Sequence, residues 1–234
     1  MNNKLKIFVL AYCILSINPV FSQKSSKRIN MPNYDQKRYH FGISLAYNMS
    51  DFKVTHSESF IGHDSILVAE SKKGPGFNLG IIADVPFGKF FDVRFIPTLA
   101  FAEKGLDYTM KKDFEKVNKN IESVYLDFPL LLKFKSERVG NFRAYVIGGA
   151  EYFIDMASNA KARKSEDKVK VAKNDYAYDY GAGVDIYFPM FKLSLEIKMA
   201  HGISNVLVAD DKLIYADVLQ SLHSRTYLFS VHFE

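Results

Sequence analysis

Apolar and polar residues alternate along the chain in a series of segments bounded by turn-forming residues. Alternation with a period of two predicts β-strands that have one apolar and one polar face. The clearest segment is 192–199, where Leu193, Leu195, Ile197 and Met199 alternate with Lys192, Ser194, Glu196 and Lys198. The pattern predicts eight strands, at residues 40–48, 76–87, 90–108, 121–135, 142–156, 176–188, 192–199 and 222–234.

The connections between these strands alternate in length. Short turns are predicted at 86–89, 136–141 and 189–191, and long polar loops at 49–75, 109–120, 157–175 and 201–221. An even number of strands, each long enough to cross a bilayer at a tilt, with short turns on one side and long loops on the other, is typical of outer-membrane barrels. The sequence therefore predicts an all-β fold, an eight-stranded antiparallel up-and-down transmembrane β-barrel.

Alternation alone does not distinguish a membrane barrel from a soluble one, in which the apolar face points inward. Three features favour the membrane barrel: all the long loops lie on one side, aromatic residues lie near the strand ends as in the girdles of such barrels, and Phe233 is the penultimate residue. The aromatic residues are Phe41, Tyr47, Phe77, Tyr178, Phe188, Tyr227 and Phe233.

The polar faces of the strands then point into the barrel. A barrel of eight strands has an interior just wide enough for side chains to fill it, and buried charges must be paired. We expect a packed interior of paired charges rather than an open conduction path. The charged residues predicted to face inward are Asp84, Arg94, Asp127, Lys133, Asp185, Glu196 and Lys198.

The first residues read as an export signal. Two lysines precede the apolar run 7–15, and Val20 and Ser22 occupy the −3 and −1 positions of a cleavage site after residue 22. A lipoprotein signal is rejected because Tyr12 precedes Cys13. The predicted organisation is a signal peptide at 1–22, a flexible periplasmic leader at 23–38 and an outer-membrane β-barrel at 39–234, with both termini in the periplasm.

Composition removes several function classes. The only cysteine is Cys13, so the mature chain has neither a disulfide nor a cysteine metal site. The net charge of +5 combines 31 basic and 26 acidic residues, a mixture that does not indicate a nucleic-acid partner. No apolar run reaches the ~18 residues of a transmembrane helix.

Few residue clusters indicate a catalytic, metal-binding or phosphate-binding site. His56, His63 and their acidic neighbours lack regular metal-ligand spacing, and His201 and His232 have no G-x-S-x-G motif to accompany them. We expect the strand glycines at 148–149, 181 and 183 to allow close packing rather than to bind phosphate. The basic run 161–173 reads as a solvated loop. No catalytic, metal-binding or cofactor-binding residue is predicted. The first cluster also contains Ser57, Glu58 and Asp64.

Several stretches resemble the PorT family of small outer-membrane barrels of the type IX secretion system in Bacteroidetes-type bacteria. They are residues 41–54, 76–101, 122–136, 145–152, 179–207 and 228–234. The resemblance spans nearly the whole mature chain but rests on structural patterns. It implies a non-enzymatic accessory role in the export of C-terminally tagged cargo and, in gliding species, in motility.

The implied partners are outer-membrane lipid and other secretion components. Two alternatives remain open: a small porin-like or ligand-binding barrel, and a barrel-embedded lipid-modifying hydrolase built on a Ser/His/acid set. The sequence does not indicate the oligomeric state.

Overall fold

The computed structural model describes residues 29–56, 66–110, 116–156, 172–207 and 219–234. The predicted signal peptide, residues 1–22, lies outside this part of the chain. The described residues form a short 3-10 turn and nine strands. These are the turn Tyr34–Gln36 and the strands β1 His40–His56, β2 Ile66–Phe87, β3 Phe91–Phe95, β4 Thr98–Met110, β5 Lys116–Lys135, β6 Phe142–Asp155, β7 Asn174–Tyr187, β8 Lys192–Gly202 and β9 Leu219–Phe233. Among the described residues, no helix is long and apolar enough to span a membrane.

The strands form one antiparallel sheet that closes on itself. Each strand pairs with its neighbours around the sheet, and β1 pairs with both β2 and β9. Closure matters because a sheet within a bilayer cannot leave unpaired backbone groups facing lipid. The all-β antiparallel barrel predicted from the alternation is confirmed.

The third predicted strand, 90–108, consists of two segments rather than one. β3 and β4 lie one after the other between β2 and β5, and the break between them falls at Ile96 and Pro97. Pro97 lacks a backbone N–H, so it cannot complete the regular hydrogen-bond ladder. The carbonyl of Pro97 still accepts a hydrogen bond from the Ile81 N–H at 3.1 Å. The nine segments therefore occupy eight positions around the sheet.

Several strands extend further than the alternation predicted. β1 continues to His56 and β2 begins at Ile66, so much of the predicted loop 49–75 is a long hairpin. Likewise, β4 reaches Met110 and β5 starts at Lys116, within the predicted loop 109–120. A bulge between Lys73 and Gly76 interrupts the β2–β4 register, which is why the alternation is lost there while the sheet continues.

The three short turns lie at one end of the barrel, together with the C-terminus. Gly88 and Gly140 have positive φ angles of 74° and 63° in two of these turns. Such angles favour glycine because a Cβ atom would clash with the backbone.

The distribution of side chains decides which way the barrel faces. Large apolar side chains cover the outer surface, and Ile81 and Ile197 are each 65% exposed. The interior is polar: all seven charged residues predicted to face inward are buried, and Arg94 and Lys133 are completely inaccessible. A soluble barrel would show the opposite arrangement. The outer surface is therefore built for lipid.

Candidate functional site

The barrel interior carries the densest set of charged contacts in the described chain. At its centre, toward the end with the short turns, lies Arg94. The guanidinium of Arg94 donates to Asp84 at 2.7 Å and to Glu234 at 2.9 Å, and lies 3.7 Å from Glu196. One cation thus holds carboxylates from β2, from β8 and from the C-terminal residue. This network ties distant strands together across the lumen.

A second cation, Lys133, completes this layer. Its Nζ lies 2.8 Å from Asp185 and 3.7 Å from the centre of the Tyr145 ring. The Ser194 hydroxyl donates to Asp185 at 2.6 Å, and the Tyr145 hydroxyl donates to Glu196 at 2.9 Å. Arg94 and Lys133 therefore each have partners of opposite sign, as the cost of isolated buried charge requires.

Two of the strand glycines allow close packing in the barrel wall, and one of them makes room for Tyr145. A Cβ atom at Gly183 would lie 2.4 Å from the Tyr145 ring, and one at Gly181 would lie 2.4 Å from the Ile197 carbonyl oxygen. Both distances are too short for any side chain. The prediction that these glycines allow close packing is confirmed for Gly181 and Gly183.

An apolar layer lies directly above the Arg94 layer. Ile82, Ile96 and Leu131 are the next inward-facing residues after Asp84, Arg94 and Lys133 on their strands. Together with Tyr145 and Ile147 they form one buried cluster. These apolar side chains fill the part of the lumen next to β2, β5 and β6 and narrow it at this level.

The other half of the interior is polar and less tightly packed. Lys198 lies 2.8 Å from Asp179 and 3.5 Å from Glu151, and Lys104 donates to the Ser224 hydroxyl at 3.1 Å. Among the described residues, the interior cavities here have volumes of about 30 and 20 Å³. A single water needs about 10–15 Å³, so these cavities have room for only a few waters.

Residues before β1 close the end of the barrel that carries the short turns. Tyr34 is buried, stacks on His40 with ring centroids 4.0 Å apart, and donates its hydroxyl to Glu234 at 2.9 Å. Arg143 binds Asp35 through two hydrogen bonds of 2.8 and 2.7 Å. The predicted flexible leader, 23–38, is thus packed against the barrel from residue 29 onward, because its side chains find partners on the strand ends. Residues 23–28 lie outside the described part. We call residues 29–38 the N-terminal plug.

The plug is held by further contacts from the turn between β5 and β6. Arg138 donates to the carbonyl of Asn30 and lies over the Tyr187 ring at 3.7 Å. The Asn30 side chain donates to the Tyr187 carbonyl at 2.9 Å, and its backbone N–H donates to Asn141. The plug therefore contacts the ends of several strands and seals the lumen from this side.

The plug contact at Asp35 predicts a pH dependence. Burial would raise the pKa of Asp35, but the hydrogen bonds and charge of Arg143 outweigh burial and lower that pKa below its usual value. The contact is therefore fully stabilising above the unfolded pKa of about 4 and is lost as the pH falls through the lower folded-state pKa. We expect a dye on Asn33→Cys to keep constant anisotropy from pH 8 to 5 and to become mobile only below about pH 4.

Asp35→Asn is the control for this measurement, because it removes the charge at every pH. Its dye should be more mobile than in the parent throughout. A loss of anisotropy between pH 8 and 5 in the parent would contradict the assignment of the contact to Asp35.

The structure separates the histidines that a hydrolase would need. His201 lies on the outer surface, stacked on Tyr178 and Tyr180, whereas His232 is buried in the lumen 3.4 Å from Glu196. They lie on opposite faces of the barrel wall and cannot share a site. Within the described ranges, no group of three or more His, Cys, Asp or Glu side chains could hold a metal ion.

Other sequence candidates fall outside the described residues. Ser57, Glu58, His63 and Asp64 lie between the described ranges 29–56 and 66–110. Most of the basic run 161–173 lies between the described ranges 116–156 and 172–207. The sequence did not identify Glu234, Tyr145 or the N-terminal plug as parts of the interior network. Glu234 could have been found, because it follows the outward-facing Phe233 by one residue and so should point inward.

Comparison of the sequence with models of known protein families identifies the family of this chain. A family model for the outer membrane protein beta-barrel domain matches residues 21–208. No curated protein matches the sequence. Among solved structures, OprG from Pseudomonas aeruginosa is 13% identical with a TM-score of 0.48, covering 83% of this chain and 94% of that chain.

Two further solved structures are more distant. Ail from Yersinia pestis is 14% identical with a TM-score of 0.35, covering 84% of this chain and 98% of that chain. The N-terminal β-barrel domain of Pseudomonas aeruginosa OprF is 10% identical with a TM-score of 0.33, covering 82% and 97%. The family match is the comparison on which the assignment rests.

Proposed function

Because the chain belongs to the outer membrane protein beta-barrel domain family, we propose that it is a closed, non-enzymatic outer-membrane barrel that serves as an accessory of the type IX protein secretion machinery. In this role it supports export of C-terminally tagged cargo and, in gliding species, delivery of motility adhesins. The conduit for folded cargo is then a larger barrel, and this chain acts through its surfaces.

The observation that carries the non-conducting part of the proposal is the filled lumen. The Arg94 and Lys133 ion pairs, the apolar layer above them and the N-terminal plug fill or narrow the lumen in succession. The type IX assignment is supported by the resemblance to the PorT family alone. The absence of catalysis is supported by the separation of His201 from His232.

We also propose that both termini face the periplasm. The plug, the C-terminal Glu234 and the short turns share one end, and the longer connections share the other. Outer-membrane barrels place short turns in the periplasm and long loops outside.

The deciding experiment is deletion of the gene in its native host, followed by measurement of C-terminally tagged cargo at the cell surface. We expect cargo to accumulate in the periplasm, and a plasmid copy to restore export. The level of an unrelated outer-membrane barrel is the control for general envelope damage. Normal export in the deletion strain would end the secretion proposal.

Planar-bilayer recording separates this proposal from the porin-like alternative. We expect the refolded mature chain to give no stepwise ion conductance, because the lumen is filled or narrowed at three levels. Regular conductance steps would favour a narrow pore. The outcome is independent of the export test, since a conducting barrel could still assist secretion.

A further inference from the structure

On the outer surface, side chains of β8, β9, β1 and β2 form rows of directly paired residues. Directly paired residues give one central row of Leu195, Val231, Leu45 and Leu79. The row above it is Ile197, Phe229, Tyr47 and Phe77, and the next is Met199, Tyr227, Met49 and Pro75. These rows belong to the apolar band that lipid tails cover.

The apolar band ends abruptly at the next row, on the side away from the termini. There Tyr178 pairs with His201, His201 with Arg225, and Arg225 with Asp51. On β8, β9 and β1 the outward-facing residues thus change from apolar to polar or charged, while β7 keeps a tyrosine. Such a change marks the edge of the apolar band, where lipid tails give way to headgroups.

The charges at this level are mainly positive. Arg225 binds Asp51 through two hydrogen bonds of 2.8 Å, so these two side chains neutralise each other. Lys73 lies over the Tyr227 ring at 4.7 Å, and Lys53 is exposed one row higher on β1. Two further cations therefore stand beside a bound guanidinium, and His201 and His223 flank them on paired strands.

An apolar groove lies below these cations, separated from them by the row of Met49, Tyr227 and Pro75. It has a volume of about 380 Å³ and is lined by Leu45, Tyr47, Phe77, Leu79, Phe229 and Val231. The small side chain of Ala46 lies at its base. The groove and the cations share strands β9, β1 and β2, so one amphipathic molecule could occupy both.

We propose that this surface is a binding site for an anionic lipid with a phosphorylated headgroup, whose phosphate contacts Lys53, Lys73 and Arg225 and whose acyl chain lies in the groove. Lysine side chains extend along the wall and place their ammonium groups at headgroup level. A phosphate accepts hydrogen bonds from both ammonium and guanidinium groups. With the termini in the periplasm, as proposed above, the lipid belongs to the outer leaflet.

The arrangement selects for charge as well as for apolar tails. A zwitterionic phospholipid would fill the groove equally well, but the cation in its own headgroup offsets its phosphate, so it would gain less from the two additional cations than a lipid with a net negative charge. A free phosphate would contact the cations but leave the groove to bulk lipid. The site therefore favours a molecule that carries both parts.

The test uses the refolded mature chain in phosphatidylcholine nanodiscs that contain lipid A as the phosphorylated probe. Bound lipid A is counted by native mass spectrometry after mild detergent release. Lys53→Gln combined with Lys73→Gln should lower lipid A affinity about 25-fold, from about fivefold for each basic residue near an anionic lipid surface. The matched control is Lys37→Gln, an exposed lysine at the opposite end of the barrel.

Folding of every variant is verified first by the mobility difference between boiled and unboiled samples. The proposal requires weaker binding in the double variant, unchanged binding in Lys37→Gln, and weak binding of dephosphorylated lipid A. It is overturned if the double variant keeps its affinity, if dephosphorylated lipid A binds equally well, or if inorganic phosphate displaces lipid A completely. The last result would identify a site for a free anion. None of these outcomes depends on the secretion role.

Discussion

Replacing Lys133 with methionine is expected to destabilise the folded barrel by about 3–5 kcal/mol, because a buried carboxylate then loses its cation. Lys133 is fully buried, and its Nζ lies 3.0 and 2.8 Å from the two carboxylate oxygens of Asp185. Without it, Asp185 loses its ion pair and retains the hydrogen bond from the Ser194 hydroxyl. Urea unfolding of the chain in lipid vesicles, followed by the unboiled band on gels, measures the change in the free energy of unfolding.

A rescue variant distinguishes loss of the ion pair from loss of packing. Lys133→Met combined with Asp185→Leu removes both charges and should return stability to within about 1–2 kcal/mol of the parent, because apolar pairs of similar volume replace buried ion pairs well. Lys89→Met is the matched control: its partner Glu137 is 71% exposed, so water already solvates both charges and no measurable loss of stability is expected. A Lys133→Met variant as stable as the parent would mean that water enters the lumen and solvates Asp185.

Placing an arginine on the outer surface at Leu45 is the second change with a large expected effect. Leu45 lies in the central row of the apolar band, and a charged residue at the bilayer midplane of such barrels costs about 2–4 kcal/mol. Leu45→Arg should therefore fold less stably in vesicles by this amount, measured by the same urea titration.

Met190→Arg provides the comparison for this change. Met190 lies in a short turn and is 90% exposed, beyond the apolar band, so an arginine there should be close to neutral. A Leu45→Arg variant that is as stable as Met190→Arg would show that the outer surface meets water rather than lipid.

Local alternation was sufficient to predict most of the strands and the facing of those with one clearly polar face. Leu193, Leu195 and Ile197 specify an outward face because a strand places every second side chain on one side. The same rule correctly predicted that Asp84, Arg94 and Lys133 face the lumen. The strand ends were harder to predict, because cross-strand hydrogen bonds continue past the alternating segments. The break at Pro97 was not predicted, because it depends on how the segments on either side of it pair with both neighbouring strands.

The partners within the lumen could not be read from the sequence. Lys133 and Asp185 are separated by 52 residues, and Tyr34 and Glu234 by 200. Which charges meet depends on the register of every strand around the barrel, not on local spacing. The N-terminal plug has no alternation, and its order comes from side chains such as Arg143, 108 residues from Asp35. Sequence patterns contain no record of such contacts.

The central claim, an inside-out barrel with a lipid-facing apolar surface, is tested most directly by tryptophan quenching. The chain has no tryptophan, so Phe229→Trp on the outer surface and Tyr145→Trp in the lumen each give a single fluorophore. In vesicles of brominated phosphatidylcholine, we expect strong quenching of the tryptophan at 229 and little at 145. Equal quenching at both positions, or quenching at 145 alone, would contradict the account.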